Sequence, residues 1–179
     1  MKTIMFNDRY WLTAAVLHGE KTQTRRNSCR YNVGEVVAIA QSYKDAGVRF
    51  VQEEDKEFGC YDFPAEQTKG WNNKMFVKAD LMPHHIRITA VRQERLQDIS
   101  DEDCLKEGIE CLPDCRGFKP YAFYDTEIHI KNDKEEGYGW YVDFNTPREA
   151  YAALIDRLNG KGTWASNPIV WVYDFELVD

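Results

Sequence analysis

Lys21, Thr22, Thr24, Arg25 and Arg26 fall in one short stretch, Gly19-Glu-Lys-Thr-Gln-Thr-Arg-Arg26, and Arg30 follows close behind. Four cations (Lys21, Arg25, Arg26 and Arg30) thus lie within ten residues of a chain whose formal charge is -7. A basic cluster with hydroxyls between its charges can hold a phosphate or a polar carbonyl group. A lysine desolvated enough to lose its proton near neutral pH could instead activate a neighbouring hydroxyl as a nucleophile. The plainer reading is an edge strand whose basic side chains are solvated.

Other candidate groups are fewer. Trp164 follows the turn glycines Gly160 and Gly162, with Asn167 three residues on. An indole held at a rim stacks on a nucleobase for about 1–3 kcal/mol; the alternative is a plug packed on the preceding helix. Cys111 and Cys115 form one close pair, Cys104 precedes them, and His84, His85 and His129 lie elsewhere. Structural zinc generally takes two such pairs, so no metal is expected and the five cysteines read as reduced thiols. His84 and His85 alternate across a strand and read as structural.

These groups need elements to position them. Thr3 to Phe6 reads as a strand. A helix follows, capped by Asn7 or Asp8, with Trp11, Leu12, Ala15 and Val16 on its apolar face. Gly19 fits the left-handed stop just past its end, and residues 21–26 alternate as a strand. Val36 to Gln41 is a second strand, after a turn at Asn32-Val-Gly34. Ile86 to Leu96 is a third. Ser100 and Asp103 form a capping pattern that opens a short helix ending near Gly108. Thr146-Pro-Arg-Glu149 opens another, with Ala150, Tyr151, Leu154, Ile155 and Leu158 buried and Gly160 as its end. Ile169 to Leu177 is an apolar last strand. Residues 43–84 and 110–145 read as two loop-rich insertions. The first carries the solvated charge run Glu53 to Glu57.

With 179 residues, one α+β domain spanning 1–179 is expected. The negative total disfavours a generic nucleic-acid binder without excluding a local basic cleft. No apolar run reaches the length of a membrane span. Without a secretory signal pattern, a cytoplasmic location is expected.

Four blocks carry a family resemblance. Leu17-His-Gly-Glu-Lys-Thr-Gln-Thr-Arg-Arg26 resembles the signature of ASCH-domain proteins, a Gly-x-Lys-Thr-x-Thr-Arg segment after the first helix. Tyr31-Asn-Val-Gly-Glu-Val-Val37 resembles their entry into a barrel strand. The stretch from Leu96 to Gly108 resembles their short acidic helix, and that from Gly160 to Pro168 their C-terminal block. Together they cover about half the chain, in order, and match phage-associated and bacterial members. The resemblance implies a small PUA-like β-barrel of five or six strands with flanking helices and no cofactor. It also implies one of two activities. The first is a binding module for RNA or a modified nucleoside, using Thr22, Arg25, Arg26, Arg30, Trp164 and Asn167. The second is the reaction of a small bacterial branch that hydrolyses the acetyl amide of N4-acetylcytidine with a Lys, a Thr and a Glu. Those residues match Lys21, Thr24 and Glu107, with Glu102 as second choice for the acid. Thr24 would attack the carbonyl, Lys21 would take its proton, Glu107 would serve the leaving amine, and the charge of Arg26 could help an oxyanion form. A protein-interaction module of a phage or mobile element is the third reading.

Overall fold

The computed structural model describes residues 1–48, 68–112, 120–132 and 135–178. Its strands make two sheets, its helices are few, and the architecture is α+β. Among the described residues neither sheet is a closed barrel. The charge run at residues 53–57 and Cys115 lie outside the described residues. No helix of the described residues is long and apolar enough to cross a membrane.

The chain divides into two compact units. The first comprises Met1–Phe6, Val36–Ile86 and residues 178–179. In it β1 (Thr3–Ile4) runs parallel to β3 (Val36–Ile39), with Thr3 opposite Ala38 and Ile4 opposite Ile39. The far side of β3 meets the approach to β4 (His85–Arg95), where Ile39 N–H donates to His84 O at 2.8 Å. Ile4, Val37, Ile39 and Ile86 are buried here. Beside them Ala38, Tyr43 and Met82 form a cluster, with Trp71, Val77 and Ala79 packed against it. The described part of the stretch expected to be the first insertion thus has a small core of its own, built on two single 3-10 turns at Lys74–Phe76 and Ala79–Leu81. Gly70 is required there. Its φ is +99°, and a Cβ would come within 2.6 Å of the Tyr43 ring.

The second unit comprises Asn7–Glu35 and Arg87–Leu177. Here β8 (Ile169–Leu177) lies between β4 (His85–Arg95) and β2 (Gln23–Arg26), so β2 is an edge. The β2–β8 pairing is antiparallel, with Gln23 opposite Asp174 and Thr24 opposite Tyr173. Both faces of β8 hold buried residues: Val170 and Val172 on one, Tyr173 and Phe175 on the other.

Three of the four helices close this unit. The first helix, α1, begins later than its caps suggest, at Leu12, and ends at Leu17. Asn7 and Asp8 instead fold the turn before it: Asn7 Oδ1 accepts from Arg9 N–H, and Asp8 Oδ1 accepts from the Thr13 hydroxyl. Trp11 at the true start has φ of +53°, unusual for a bulky residue. Its indole lies 4.3 Å from the Tyr124 ring, a contact that helps hold it there. Helix α2 (Asp101–Lys106) starts as expected, with Ser100 Oγ accepting from Asp103 N–H at 3.1 Å. Helix α3 (Pro147–Asn159) does likewise, with Thr146 Oγ1 accepting from Glu149 N–H at 3.1 Å. It buries Ala150, Tyr151, Leu154 and Ile155. The single turn α4 (Thr163–Ser166) follows.

The second expected insertion is not loop-rich. Its described residues form a three-stranded antiparallel sheet of β5 (Glu110–Cys111), β6 (Tyr121–Asn132) and β7 (Glu135–Phe144). An irregularity between Asp125 and His129 shifts the β6–β7 register. Asp125 lies fully buried at that point. It accepts from Arg9 at 2.8 and 3.0 Å, from Arg157 at 2.6 Å and from Glu127 N–H at 3.1 Å. A carboxylate with that many charged donors is stable without water, and it ties β6 to α3 and to the turn before α1.

Candidate functional site

Lys21 is pinned by its backbone before its side chain acts. Gly19 at φ of +75° ends α1, and both Glu20 N–H and Lys21 N–H turn back to Ala15 O. Thr22 N–H then donates to Lys106 O at the end of α2, while Thr22 O accepts from Phe175 N–H of β8. Lys21 therefore precedes the regular strand, and the alternation that would separate it from Thr24 does not govern its direction.

Glu107 arrives by an equally local device. It caps α2, and Gly108 follows at φ of +99°. Gly108 N–H donates to Leu105 O and Ile109 N–H to Cys104 O, the paired bonds of a left-handed helix stop. The turn folds back over Lys21. A Cβ on Gly108 would stand 3.0 Å from a Leu12 methyl and 3.6 Å from Lys21 Cδ. Gly108→Ala is thus expected to cost about 1–3 kcal/mol through the backbone conformation alone. Chemical denaturation would check this.

The two side chains meet directly. Lys21 Nζ donates to Glu107 Oε2 at 2.6 Å, to Glu107 O at 2.6 Å and to Gln23 O at 2.8 Å. Lys21 is 2% exposed and Glu107 is 5% exposed. Burial pushes the Lys21 ammonium below its ordinary value; Glu107 pulls the other way, and Arg26 and Arg25 add to the lowering. The Thr22 carbonyl points to β8, so the Gln23 carbonyl points away from it, to the open edge of β2. Lys21 Nζ, bonded to the Gln23 carbonyl, sits at that edge.

One face carries a network that local sequence patterns do not reveal. Arg25 donates to Glu107 Oε1 at 3.0 Å, to Gln23 Oε1 at 2.6 Å and to Glu94 Oε1 at 3.0 and 2.5 Å. Arg92 donates to Asp174 at 2.6 Å, Asp103 at 2.8 Å and Glu94 at 3.2 Å. Gln23 Nε2 donates to Asp174 Oδ1 at 2.6 Å. Burial opposes the Arg25 charge, but Glu107 and Glu94 help outweigh it and hold the guanidinium above its ordinary value. Arg92, Glu94, Asp103 and Asp174 were not among the expected site residues. The one visible signal is Asp174, which with Glu176 interrupts a largely apolar strand.

The other expected residues are placed as follows. Thr24 is buried on β2, on the opposite face from Gln23 and Arg25, and the three acceptors of Lys21 Nζ given above do not include its hydroxyl. Arg26 shares that face and is half-buried; burial lowers its pKa, with Glu107 opposing. Arg30 is exposed. Thr22 is engaged through its backbone. Trp164 is half-buried, edge-on to Tyr151 at 6.2 Å and under Arg148 at 5.4 Å. Asn167 Oδ1 accepts from Gln97 N–H at 2.8 Å, which fastens the turn before β8. Glu102 is exposed and paired with Lys106 at 2.8 Å, so of the two candidate acids only Glu107 reaches Lys21.

A cavity of about 320 Å³ opens beside the Gly108 turn, walled by Glu20, Leu105, Ile109, Glu110 and Cys111. Lys21, Thr24 and Glu107 do not line it. Burial raises the Glu110 carboxyl above its ordinary value, a hydrogen bond from Tyr141 at 2.9 Å opposes this, and Glu20 adds to the rise. Such walls repel anions. Among the described residues no group of three or more His, Cys, Asp or Glu is placed to hold a metal ion. Comparison with protein-family models, with curated proteins and with solved structures finds no match to this chain.

Proposed function

We propose that this chain is an ASCH-type protein of the PUA-like group, and that its second unit hydrolyses the acyl amide of an N4-acylated cytidine-like nucleoside. The observation that carries the reading is the buried Lys21–Glu107 pair at 2.6 Å, with burial lowering the Lys21 pKa. A desolvated lysine is a usable base, and the carboxylate beside it can move a proton to a leaving nitrogen. The PUA-like pseudo-barrel and a cytoplasmic location belong to the same proposal.

In this mechanism Thr24 Oγ forms a bond to the acyl carbonyl carbon while neutral Lys21 takes its proton. The carbonyl π pair moves to oxygen and then returns, breaking the C–N bond. The leaving N4 nitrogen receives the proton by way of Glu107. Water then attacks the threonine ester and gives its proton to Lys21, which passes it to Thr24 Oγ as the C–O bond breaks, releasing the carboxylic acid, free Thr24 and neutral Lys21. The mechanism requires the Thr24 hydroxyl, on one face of β2, to act at the edge where Lys21 Nζ meets the Gln23 carbonyl.

A neutral substrate suits the charge balance. The network holds Lys21, Arg25 and Arg92 against Glu94, Asp103, Glu107 and Asp174, so little positive field is left for a phosphate. The RNA-binding reading counts Arg25 with Arg26, Arg30 and Trp164 among its contacts, yet the Arg25 side chain is 2% exposed and held by carboxylates.

The purified protein is expected to convert N4-acetylcytidine to cytidine and acetate, followed by chromatography. Thr24→Val is expected to reduce the rate by about 10³-fold or more. A wild-type protein with no turnover ends the proposal for this substrate; a fully active Thr24→Val ends the nucleophile assignment.

A further inference from the structure

Tyr151 is among the most completely buried side chains, at 1% exposed, and its hydroxyl has no hydrogen-bond partner among the described residues. That combination is costly. A buried hydroxyl without a partner carries a desolvation penalty, and folded proteins seldom keep one without a use for it. A phenylalanine would fill the same space on the buried face of α3 without that cost.

Tyr151 sits in the middle of α3, with the Arg25 guanidinium 5.8 Å from its ring centre and the Trp164 ring edge-on at 6.2 Å. Arg25 is itself fixed by Glu107 and Glu94, and Trp164 by Arg148. The phenol ring thus packs against Arg25, which bonds Glu107 of the proposed site at 3.0 Å. It interacts electrostatically with Glu107 and Arg25 of the buried network and with Arg26 on the other face of β2. Burial pushes its pKa well above 10, and Glu107 adds to that. The phenol stays protonated, a neutral donor at every working pH.

We infer that the Tyr151 hydroxyl donates a hydrogen bond to the acyl carbonyl oxygen of the substrate, and is the group that steadies the oxyanion during attack. The inference rests on the hydrolytic reading of the Lys21–Glu107 site. It assigns to a neutral donor the role that sequence alone gave to the charge of Arg26. No proton leaves Tyr151 in this step. The π pair of the carbonyl moves to oxygen as Thr24 Oγ bonds to carbon, and the phenol O–H shortens its contact to that oxygen. A fixed donor in a water-poor site suits a charge that exists only in the transition state.

The test is Tyr151→Phe, with steady-state kinetics on N4-acetylcytidine and thermal unfolding on the same preparation. The expected result is a fall in kcat of about 10²–10³-fold, a KM changed little, and a thermal midpoint unchanged or raised. A hydroxyl that bonded only within the fold would give the reverse pattern, a lower midpoint with kcat intact, and that result overturns the inference. So does an unchanged kcat at an unchanged midpoint, which would leave the hydroxyl with solvent alone. Either result, with wild-type turnover present, leaves the hydrolytic reading standing. Absence of turnover in the wild type itself overturns both.

Discussion

Glu107→Ala is expected to destabilise the protein by about 3–5 kcal/mol, measured by denaturant unfolding. The reason is an asymmetry among the charges. Glu107 faces two cations, Lys21 at 2.6 Å and Arg25 at 3.0 Å. Removing it leaves Arg25 with Glu94, but takes from Lys21 the carboxylate that lies 2.6 Å from its ammonium. An ammonium that is 2% exposed cannot turn to water. Its remaining escape is to lose the proton, and this gives the effect a pH dependence whose sign is fixed. The folded Lys21 pKa already lies below the unfolded value of 10.5, so between the two the unfolded state holds the extra proton and stability rises with pH. Deleting Glu107 removes a contribution that raises the folded pKa, so that rise begins at lower pH in the variant. The deficit relative to wild type should therefore shrink as pH rises toward the folded Lys21 pKa of the wild type. A second substitution sharpens the result: Lys21→Met added to Glu107→Ala should recover part of the loss, because it removes the buried charge that Glu107 had faced. A deficit under about 1 kcal/mol, or a double variant weaker than the single one by the full additive amount, would show that the pair does not hold this turn together.

The same asymmetry explains why an acidic protein can place arginines at its site without becoming a polyanion binder. An exposed cation is available to a ligand. Arg25 is not: its contacts with Glu94, Glu107 and Gln23 are all made inside the fold. Arg92, more exposed, bridges Asp103, Asp174 and Glu94. Their effect is to stiffen the wall behind Lys21. A buried network that satisfies its own members favours one arrangement of the strands that carry it. Here those strands are β2, β4 and β8, together with the first turn of α2.

Local chemistry was legible in the sequence, and long-range register was not. Ser100 with Asp103, Thr146 with Glu149, and the glycines at 19 and 108 each act within a few residues, and each sits where its pattern puts it. Asn7 and Asp8 have the right chemistry for a cap but spend it on the preceding turn, because Trp11 takes the start of α1 in a left-handed conformation that pattern alone would not assign. The β6–β7 hairpin was hidden by its own composition. Tyr121, Phe123 and Asp125 share one face while Ala122 and Tyr124 share the other, so no clean apolar alternation appears. The Lys21–Glu107 contact spans 86 positions, and only a family resemblance suggested it. Arg92, Glu94, Asp103 and Asp174 join through the pairing of β4 and β2 with β8, which depends on the whole unit folding.

Lys21→Met is expected to lower kcat on N4-acetylcytidine by about 10²–10⁴-fold, the usual worth of a positioned base. Methionine is long, flexible and unbranched, and it follows the lysine stem with little change in packing. It also leaves Glu107 in contact with Arg25, so the carboxylate keeps a charged partner, unlike the ammonium in Glu107→Ala. The loss of stability should accordingly be the smaller of the two. The decisive measurement is the pH–rate profile. Only neutral Lys21 can accept a proton from Thr24, so the wild-type rate should climb with pH and level off at a midpoint below the ordinary lysine value of 10.5. The profile of Lys21→Met should lack that rise, because the titrating base is gone. A wild-type profile that is flat over the same range, or a variant that keeps the rise, would place the base elsewhere. The most telling case would be a variant with the wild-type profile and a normal fold: the Lys21–Glu107 pair would then be a buried strut whose low dielectric, not its chemistry, explains the displaced pKa.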